Sequence, residues 1–304
     1  MKTAIVGATG FIGKRLVRRI LDEGRDTVLA FSRDAARARA QLPQEVEVVA
    51  WDPHVGPPPP GVFDGIGAVI NLAGENVAQR WSPAVKQRIR ESRTVTTRNL
   101  VAGILGARER PRVLVSGSAV GWYGARGDEA LDETAGAGDG FLPGLCRDWE
   151  AEATKASEGG VRTVLARIGI VLGPRGGALA RMIPFFKVFL GGPLGEGRQW
   201  MSWIHIDDAA GILLWAARNE GLSGPVNVAA PEPVTNADFA RALGRALGRP
   251  SAMPTPAPAL RLLLGEFAEF LLTGQRVLPR KAEAAGYRFR FSQVEPALRD
   301  VLAQ

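Results

Sequence analysis

The heptapeptide GATGFIG at residues 7–13 constrains the fold more than any other stretch of this chain. It follows the apolar run TAIVG (3–7) and opens a segment whose apolar residues recur at helical spacing. Three glycines allow a tight turn, the close approach of backbone N–H groups to a phosphate, and close packing of a helix on a strand. The spacing predicts a strand, a turn and a helix that bind the pyrophosphate of a dinucleotide. The alternative is a tight βα turn without a ligand.

Apolar runs recur throughout the first 172 residues. They are continuous rather than alternating, which is typical of parallel strands buried on both faces. Helical patterns lie between them, as in the βαβ units of a doubly wound sheet. We therefore predict an α/β protein with a Rossmann-type doubly wound parallel sheet. The predicted strands cover residues 3–7, 27–31, 46–50, 68–74, 112–118 and 162–172.

The pattern changes after residue 172, where glycine and proline interrupt the chain more often. A short β-rich run at 226–230 alternates there with helical patterns at 235–247 and 257–272. We predict a nucleotide-binding Rossmann domain over residues 1–172 and a smaller α/β substrate lobe over residues 173–304. An exchange of a strand or a helix between the two lobes is compatible with this pattern.

Composition and charge exclude several classes of protein. The net charge of +7 comes mainly from arginines that are spread along helical patterns and form no block, so we predict no nucleic-acid partner. No run reaches ~20 apolar residues, and the N-terminal run is a poor secretory signal, so we predict no membrane partner. Cys146 is the only cysteine, which fits a reducing compartment. We predict a cytoplasmic protein that acts on a small molecule.

The end of the second predicted strand indicates which dinucleotide binds. Ser32 and Arg33 stand at the corner where NAD-binding proteins usually carry an acidic residue for the ribose hydroxyls. Because an arginine can bind a 2′-phosphate through several N–H donors, we predict NADP(H) as the cofactor. The alternative is that Arg33 is only exposed and Asp34 turns back to the ribose. Asp52, after the third strand, is a candidate partner for the adenine amine.

Several motifs occur in a fixed order, among them INLAGENV, SGSAVGWYG, CRDWEAEA, RIGIVLGPRGGAL and WIHIDDAA. With the glycine turn they resemble the extended short-chain dehydrogenase/reductase superfamily. More narrowly, they resemble its atypical branch of "epimerase family" NAD(P)-binding proteins, whose substrates are not established. Residues of about 250–300 resemble the C-terminal tail domain of that branch. The resemblance implies a one-sided NADP(H) site and a homodimer of the kind that relatives often form.

The resemblance also implies which residues contact the cofactor. The glycine turn and the first helical turn would contact the pyrophosphate, residues 32–33 the 2′-phosphate, and residues 72–74 the ribose. An arginine of the following helix and a valine near the nicotinamide would complete the site. For Leu72 and Ala73, ordinary core packing is the alternative. With Asp52, the predicted cofactor residues are Gly7, Thr9, Gly10, Phe11, Ile12, Gly13, Ser32, Arg33, Asp52, Leu72, Ala73, Gly74, Arg93 and Val171.

The chain lacks the residues that usually transfer the proton in this superfamily, a tyrosine with a lysine four positions later. A nearby ammonium lowers the pKa of such a phenol, which is otherwise a poor base at neutral pH. Neither Tyr123 nor Tyr287 has a lysine four residues later. The expected positions fall at residues 145–146 for the tyrosine and near Trp149 for the lysine.

Ser118 and Tyr123 are the remaining candidates for catalysis. Ser118 stands where the superfamily has its substrate-binding serine, at the carboxyl end of the fifth strand, where open α/β sheets bind ligands. Our hypothesis is that Ser118 orients a substrate oxygen and that Tyr123, or a bound water, supplies the proton. The alternative is a Tyr123 at the rim with no catalytic role. Cys146 has no histidine near it in sequence, and we predict no metal site because no ligand cluster has the spacing.

Two functions remain open at this point. One is an NADP(H)-dependent oxidoreductase or epimerase-like enzyme of unknown substrate, favoured by Ser118 and a complete second lobe. The other is a non-catalytic NADP(H)-binding redox sensor or regulatory protein, favoured by the missing Tyr/Lys pair. Sugar-nucleotide epimerases often carry an arginine just before the "IH" motif. Trp200 and Met201 occupy that place here, which weakens the epimerase interpretation.

Overall fold

The structure is a computed structural model that describes residues 1–174 and 176–304, and this part of the chain contains thirteen strands and eleven α-helices. The strands are β1 (Lys2–Val6), β2 (Thr27–Ser32), β3 (Glu47–Ala50), β4 (Ile66–Asn71), β5 (Val113–Ala119), β6 (Ala130–Leu131), β7 (Arg162–Ile168), β8 (Ile170–Leu172), β9 (Trp200–Met201), β10 (Trp203–His205), β11 (Gly224–Val228), β12 (Val234–Thr235) and β13 (Arg276–Val277). The helices are α1 (Phe11–Asp22), α2 (Ala35–Arg39), α3 (Pro83–Leu105), α4 (Phe141–Glu158), α5 (Leu179–Lys187), α6 (Ile206–Arg218), α7 (Asn236–Leu247), α8 (Ala257–Leu264), α9 (Phe267–Leu272), α10 (Arg280–Ala284) and α11 (Val294–Ala303). A 3₁₀ helix, Val120–Tyr123, follows β5 directly.

Seven strands form one parallel sheet in the order β3-β2-β1-β4-β5-β7-β11. The chain builds outward from β1 in one direction and then, from β4, in the other. The predicted Rossmann-type doubly wound sheet is therefore confirmed. The order reverses between β1 and β4, where the Leu72 N–H donates to the Val6 carbonyl at 2.9 Å. The carboxyl ends of β1 and β4 thus form the switch point where such sheets bind ligands.

Helices cover both faces of the sheet, which explains why its strands are apolar without alternation. Along β1, Ile5 faces one core together with Leu16 and Val17 of α1, and that core includes the apolar face of α6. Ala4 faces the opposite core, which includes Leu100 of α3 and apolar residues of α4. Every one of these side chains has at most marginal exposure to solvent. The two layers fix the strand ends that carry the candidate site.

The second lobe is built from short two-stranded pairs and helices. β8 pairs with β10, β9 with β12 and β6 with β13, while α5, α7 and α11 share a core around Trp203 and Phe239. α6 and β11 lie within residues 206–228 yet belong to the large sheet and its covering layer. The division after residue 172 stays a prediction. Among the described residues no helix is both long and apolar enough to cross a membrane.

The C-terminal end of α5 carries an unusual backbone conformation. Phe189 has a φ of 65°, the only positive φ of a non-glycine residue in the described part of the chain. Its N–H donates to the Phe186 carbonyl at 3.0 Å, and the Leu190 N–H donates to the Phe185 carbonyl at 2.8 Å. This pair of bonds is a Schellman motif, whose left-handed position normally belongs to glycine. A side chain there costs about 1–2 kcal/mol.

We predict that Phe189→Gly stabilises the protein. Removing the Cβ relieves the left-handed strain, and the gain exceeds the added entropy of the unfolded glycine by about 0.5 to 1 kcal/mol. Urea unfolding at equilibrium measures the free energy of unfolding. Phe189→Ala is the matched control, because it removes the same ring but keeps a Cβ. An alanine variant as stable as the glycine variant would contradict the strain argument.

Candidate functional site

A cleft of about 570 Å³ lies at the switch point of the sheet. Its walls come from the turn between β1 and α1, the ends of β2 and β3, and the segment after β4. The sequence predicted much of this lining. The predicted cofactor residues in the wall are Gly7, Thr9, Gly10, Ser32, Arg33, Leu72, Ala73 and Gly74.

The glycine turn shapes one wall of the cleft. A Cβ on Gly7, whose φ is 83°, would lie 2.9 Å from the Leu72 carbonyl, and one on Gly13 would lie 2.1 Å from the Gly7 oxygen. Both glycines therefore allow backbone to pack on backbone. A Cβ on Gly10 would meet only the Gly7 oxygen, at 3.1 Å. Gly10 caps α1 without a side-chain hydrogen bond, so the first N–H groups of α1 remain available to an anion.

The corner after β2 is basic. The Asp34 carboxylate accepts the Arg37 N–H at 2.9 Å and caps α2, and the Ser32 hydroxyl donates to the Asp34 carbonyl at 2.9 Å. Asp34 is thus engaged in capping, which argues against its alternative role at a ribose. Arg33 lines the cleft with Arg37 and Arg88. None of the three guanidinium groups has a hydrogen bond or an ion pair within residues 1–174 and 176–304.

Arg37 and Arg88 were not predicted from the sequence. Arg37 stands four residues after Arg33, in the short helix that Asp34 caps, so its charge lay close to the predicted 2′-phosphate corner and was an available signal. Arg88 lies on α3, more than fifty residues later, and only the tertiary structure brings it to the cleft. The carboxylates of Asp34, Glu75 and Glu91 also line the cleft, but they form no ion pair with these arginines. The three guanidinium groups therefore stay available to a ligand with several negative charges.

The remaining predicted cofactor residues lie around the cleft rather than in its wall. Phe11 packs against the glycine-rich turn after β8, and Gly177 of that turn lies against the carbonyl of Val171, whose side chain is buried. Ile12 packs on the core, and the Asp52 carboxylate accepts the His54 N–H at 3.0 Å. Their roles toward a cofactor stay predictions, as do those of the residues in the wall.

Arg93 lies beneath the segment after β4. Its guanidinium donates to the carbonyls of Ile89 and Glu75, each at 3.0 Å, and lies 5.2 Å from the Trp149 ring. A Cβ on Gly74 would lie 2.9 Å from this guanidinium. Burial lowers the pKa of Arg93 to about 10. In this position Arg93 holds the backbone of the cleft wall.

Cys146 occupies the place where the superfamily tyrosine was expected. The thiol is buried, and its sulfur donates to the Ala119 carbonyl at 3.8 Å. Burial is the largest of the effects that raise the pKa of this thiol to about 12. Because the thiolate is the nucleophilic form, the buried Cys146 is chemically inert at neutral pH.

Glu150, one helical turn after Cys146, forms a buried ion pair with Arg167 of β7. Two hydrogen bonds join them, with Nε to Oε1 at 2.9 Å and Nη2 to Oε2 at 3.0 Å. The Ser118 hydroxyl also donates to Glu150 Oε1, at 2.6 Å. Burial alone would lower the pKa of Arg167, but the hydrogen bonds and charge of Glu150 hold it above its ordinary value. A buried acid–base pair thus stands where the usual tyrosine and lysine are missing.

Neither partner of this ion pair was predicted from the sequence. The available signal was a charged residue, Arg167, inside the apolar run 162–172, because arginine is almost never fully buried without a partner. Glu150 lay within the quoted CRDWEAEA motif, but the expected lysine position was placed at Trp149. Trp149 instead donates from Nε1 to the Thr97 hydroxyl at 3.0 Å.

Tyr123 is fully buried at the end of the 3₁₀ helix. Its hydroxyl donates to Asn227 Oδ1 at 2.7 Å and accepts from Arg167 Nη1 at 3.1 Å. Burial is the main cause that raises the pKa of Tyr123 to about 12. The structure therefore links Ser118 and Tyr123 through Glu150 and Arg167. Tyr123 therefore does not lie at the rim of the cleft. The catalytic roles of Ser118 and Tyr123 stay predictions.

One group of potential metal ligands occurs among the described residues, at the start of α6. Atoms of His205, Asp207 and Asp300 lie within 4.8 Å of one another. Arg15 and Arg290 form ion pairs with Asp207, and Arg290 also pairs with Asp300. Burial lowers the pKa of His205. The carboxylates are thus neutralised by arginine, and the cluster attaches the C-terminal segment to α6.

A doubly wound sheet with an uncapped helix at its switch point, and with arginines free of ion pairs in the cleft there, defines an α/β protein of the dinucleotide-binding class. The chain belongs to the NAD dependent epimerase/dehydratase family, whose sequence model matches residues 3–229. A domain of unknown function (DUF1731) matches residues 255–301. The resemblance to the atypical extended branch, including its tail domain, is confirmed.

Individual relatives match nearly the whole chain. The epimerase family protein SDR39U1 homolog, chloroplastic, of Arabidopsis thaliana is 42% identical over 99% of this chain and 87% of its own length. The epimerase family protein Mb2239 of Mycobacterium bovis is 44% identical over 97% of this chain and 95% of its own. The crystal structure of human epimerase family protein SDR39U1 (isoform 2) with NADPH matches with a TM-score of 0.88 and 34% identity, covering 100% of both chains.

We predict that Arg167→Met destabilises the protein by about 3–5 kcal/mol, because it leaves the Glu150 carboxylate buried without its partner. The double variant Arg167→Met/Glu150→Gln removes both charges and is expected to recover a large part of that loss. Urea unfolding of the wild type, both single variants and the double variant gives the coupling energy. Losses that simply add in the double variant would show that the two charges do not depend on each other.

Proposed function

We propose that this chain binds NADP(H) in the cleft at the switch point and transfers hydride to or from a small-molecule substrate. The observation that carries the proposal is the combination of the uncapped α1 N-terminus with three unpaired arginines in one cleft. A dinucleotide with a 2′-phosphate matches this distribution of donors. The human relative crystallised with NADPH supports the same ligand for this chain.

The residues of the cleft fit the parts of such a cofactor. The backbone of residues 7–13 would bind the pyrophosphate, because Gly10 leaves the approach to the helix N-terminus open. Ser32 and Arg33, joined by Arg37, would bind the 2′-phosphate. Residues 72–74 would follow the ribose, with Arg93 holding that backbone in place. The bound cofactor would supply or accept hydride, while Ser118 and its partners handle the proton.

The direction of the Ser118 hydrogen bond decides what this residue could do for a substrate. Its proton points to Glu150, so the oxygen offers lone pairs to an incoming donor. Ser118 would therefore accept a hydrogen bond from a substrate hydroxyl, and Glu150 would receive the proton through Ser118 during oxidation. Tyr123 is a less suitable proton donor, because its own proton is held by Asn227.

The second candidate function is a non-catalytic NADP(H)-binding sensor or regulator. The observation that favours it is that Ser118, Tyr123 and Cys146 all direct their protons to buried acceptors. In that case the ion pair between Glu150 and Arg167 would serve stability alone. A homodimer and a cytoplasmic location stay predictions for either function.

A titration of NADPH against NADH, followed by quenching of protein fluorescence, tests the cofactor. We expect NADPH to bind more tightly than NADH, and Arg33→Ala and Arg37→Ala each to lose about tenfold in NADPH affinity with little effect on NADH. Gly10→Ala is expected to weaken binding of both nucleotides, because it adds a methyl group to the wall of the cleft beside the α1 N-terminus, and its Cβ, 3.1 Å from the Gly7 oxygen, requires a small shift of the turn. Equal affinity for both nucleotides would contradict the 2′-phosphate assignment.

Catalysis is tested by a screen of alcohols, carbonyls and enones, monitored by NADPH absorbance. If a substrate is found, we expect Ser118→Ala to lower kcat by about a hundredfold or more. Tyr123→Phe is the matched comparison, since it removes one hydroxyl of the same network, and its effect on kcat is expected to be small. A larger loss in Tyr123→Phe than in Ser118→Ala would restore the tyrosine as proton donor. Tight NADPH binding with no turnover would favour the sensor.

A further inference from the structure

A cluster of apolar side chains is exposed at the C-terminal end of α5. Phe185, Val188, Phe189 and Leu190 expose between 55% and 61% of their surface, and Met253 exposes 51%. The Met253 N–H donates to the Gly191 carbonyl at 3.2 Å. This bond brings the backbone of Met253 next to the residue that follows Leu190. We call these five residues the apolar cap. Large apolar side chains exposed together mark an interaction surface.

The backbone holds this cap outward at a free-energy cost. The Schellman bonds of Phe189 and Leu190 fix the turn, and Phe189 remains left-handed although a glycine would remove the strain. A strained residue persists only where the surrounding structure holds it, and such residues concentrate at functional sites. The strained backbone leaves the phenyl ring of Phe189 exposed to solvent.

The segments that carry the cap are basic. Residues 176–195 and 239–265 contain no aspartate or glutamate. The bordering Glu196, Asp238 and Glu266 are each paired with a basic residue outside the cap. Lys187 lies within the cap sequence, and the Arg249 guanidinium lies 5.1 Å from the Phe189 ring. Both are exposed, and neither has an acidic partner among the described residues. The cap is therefore an apolar surface beside two cations that have no acidic partner in the part of the chain that the structure describes, and of these Arg249 donates there only to the neighbouring Gly248 carbonyl.

This combination fits an anionic lipid surface better than a protein partner. Phenylalanine, methionine and arginine are common at protein interfaces too, but lysine is depleted from their cores. At a bilayer the lysine stem lies among apolar groups while its ammonium reaches the headgroups, so Lys187 decides between the two partners. Aromatic and aliphatic side chains next to Lys and Arg are typical of segments that insert shallowly into the headgroup region. We propose that the apolar cap docks this protein on the surface of an anionic membrane, with Lys187 and Arg249 at the lipid phosphates. This departs from the prediction of no membrane partner, which rested on the lack of a spanning or signal segment and did not consider surface docking.

Co-sedimentation of the full chain with lipid vesicles tests the proposal. The probes are phosphatidylcholine vesicles with and without about 30% phosphatidylglycerol. We expect the protein to pellet with the anionic vesicles at ~50 mM NaCl, much less at ~300 mM, and hardly at all with pure phosphatidylcholine. Equal binding to both kinds of vesicle, or binding to neither, would overturn the proposal.

Two variants of the cap separate its charges from its apolar groups. K187E/R249E and F185S/F189S are each expected to reduce binding to the anionic vesicles by about tenfold or more. K14E/R18E on α1 is the matched control: both residues are exposed without an acidic partner, and the net charge changes equally. An equal loss of vesicle binding in K14E/R18E would show that only the net charge matters. That result would refute the apolar cap as the docking site. A dimer that F185S/F189S dissociates, with no vesicle binding by the wild type, would instead identify a protein interface.

Discussion

The buried ion pair between Arg167 and Glu150 is the interaction on which the carboxyl edge of the sheet depends. Neither charge could lie in the interior alone, so each fixes the element that carries the other, β7 and α4. Ser118 attaches β5 to the same carboxylate, and Tyr123 attaches the 3₁₀ helix and β11 through Asn227. Five secondary-structure elements (α4, β5, β7, β11 and the 3₁₀ helix) are therefore connected through this one ion pair. The ion pair between Arg167 and Glu150 thus fixes the carboxyl edge of the sheet, which is also the edge where we propose catalysis.

The fold could be predicted because its signals are local and steric. The contact between Gly13 and the Gly7 carbonyl leaves no space for a Cβ, so a short sequence determines how β1, the turn and α1 pack. Continuous apolar strands follow from burial on both faces, and the switch point follows from the strand order. Most residues of the cleft wall belong to this turn or to strand ends, which explains why the sequence could indicate them.

The proton-handling region could not be predicted in the same way, because its contacts are long-range. Asn227 is 104 residues from Tyr123, and no local pattern indicates that the tyrosine proton is taken by a distant amide. Arg88 reaches the cleft only through the packing of α3. Position in the chain left open whether Tyr123 enters the cleft or lies at its rim, and the structure buries it among residues that include Ala229 and Val277. β11 pairs with β7 in the large sheet and α6 covers that sheet, as the predicted exchange of elements between the lobes allows, but no local pattern specified which elements would be exchanged.

Cofactor binding and proton transfer are thus physically separable in this molecule. In the proposed function the first would use backbone N–H groups, a helix N-terminus and surface arginines, none of which contacts the ion pair between Arg167 and Glu150. A chain without the tyrosine and lysine can therefore still bind the nucleotide, provided that other residues fill their space and that any buried charge there is paired. Here Cys146 fills it, and Glu150 with Arg167 keeps it polar without exposing a donor. If hydride moves at this site, the Ser118–Glu150 hydrogen bond is the route that we propose for the proton, and a substrate on this route would present a hydroxyl that an acceptor can recognise.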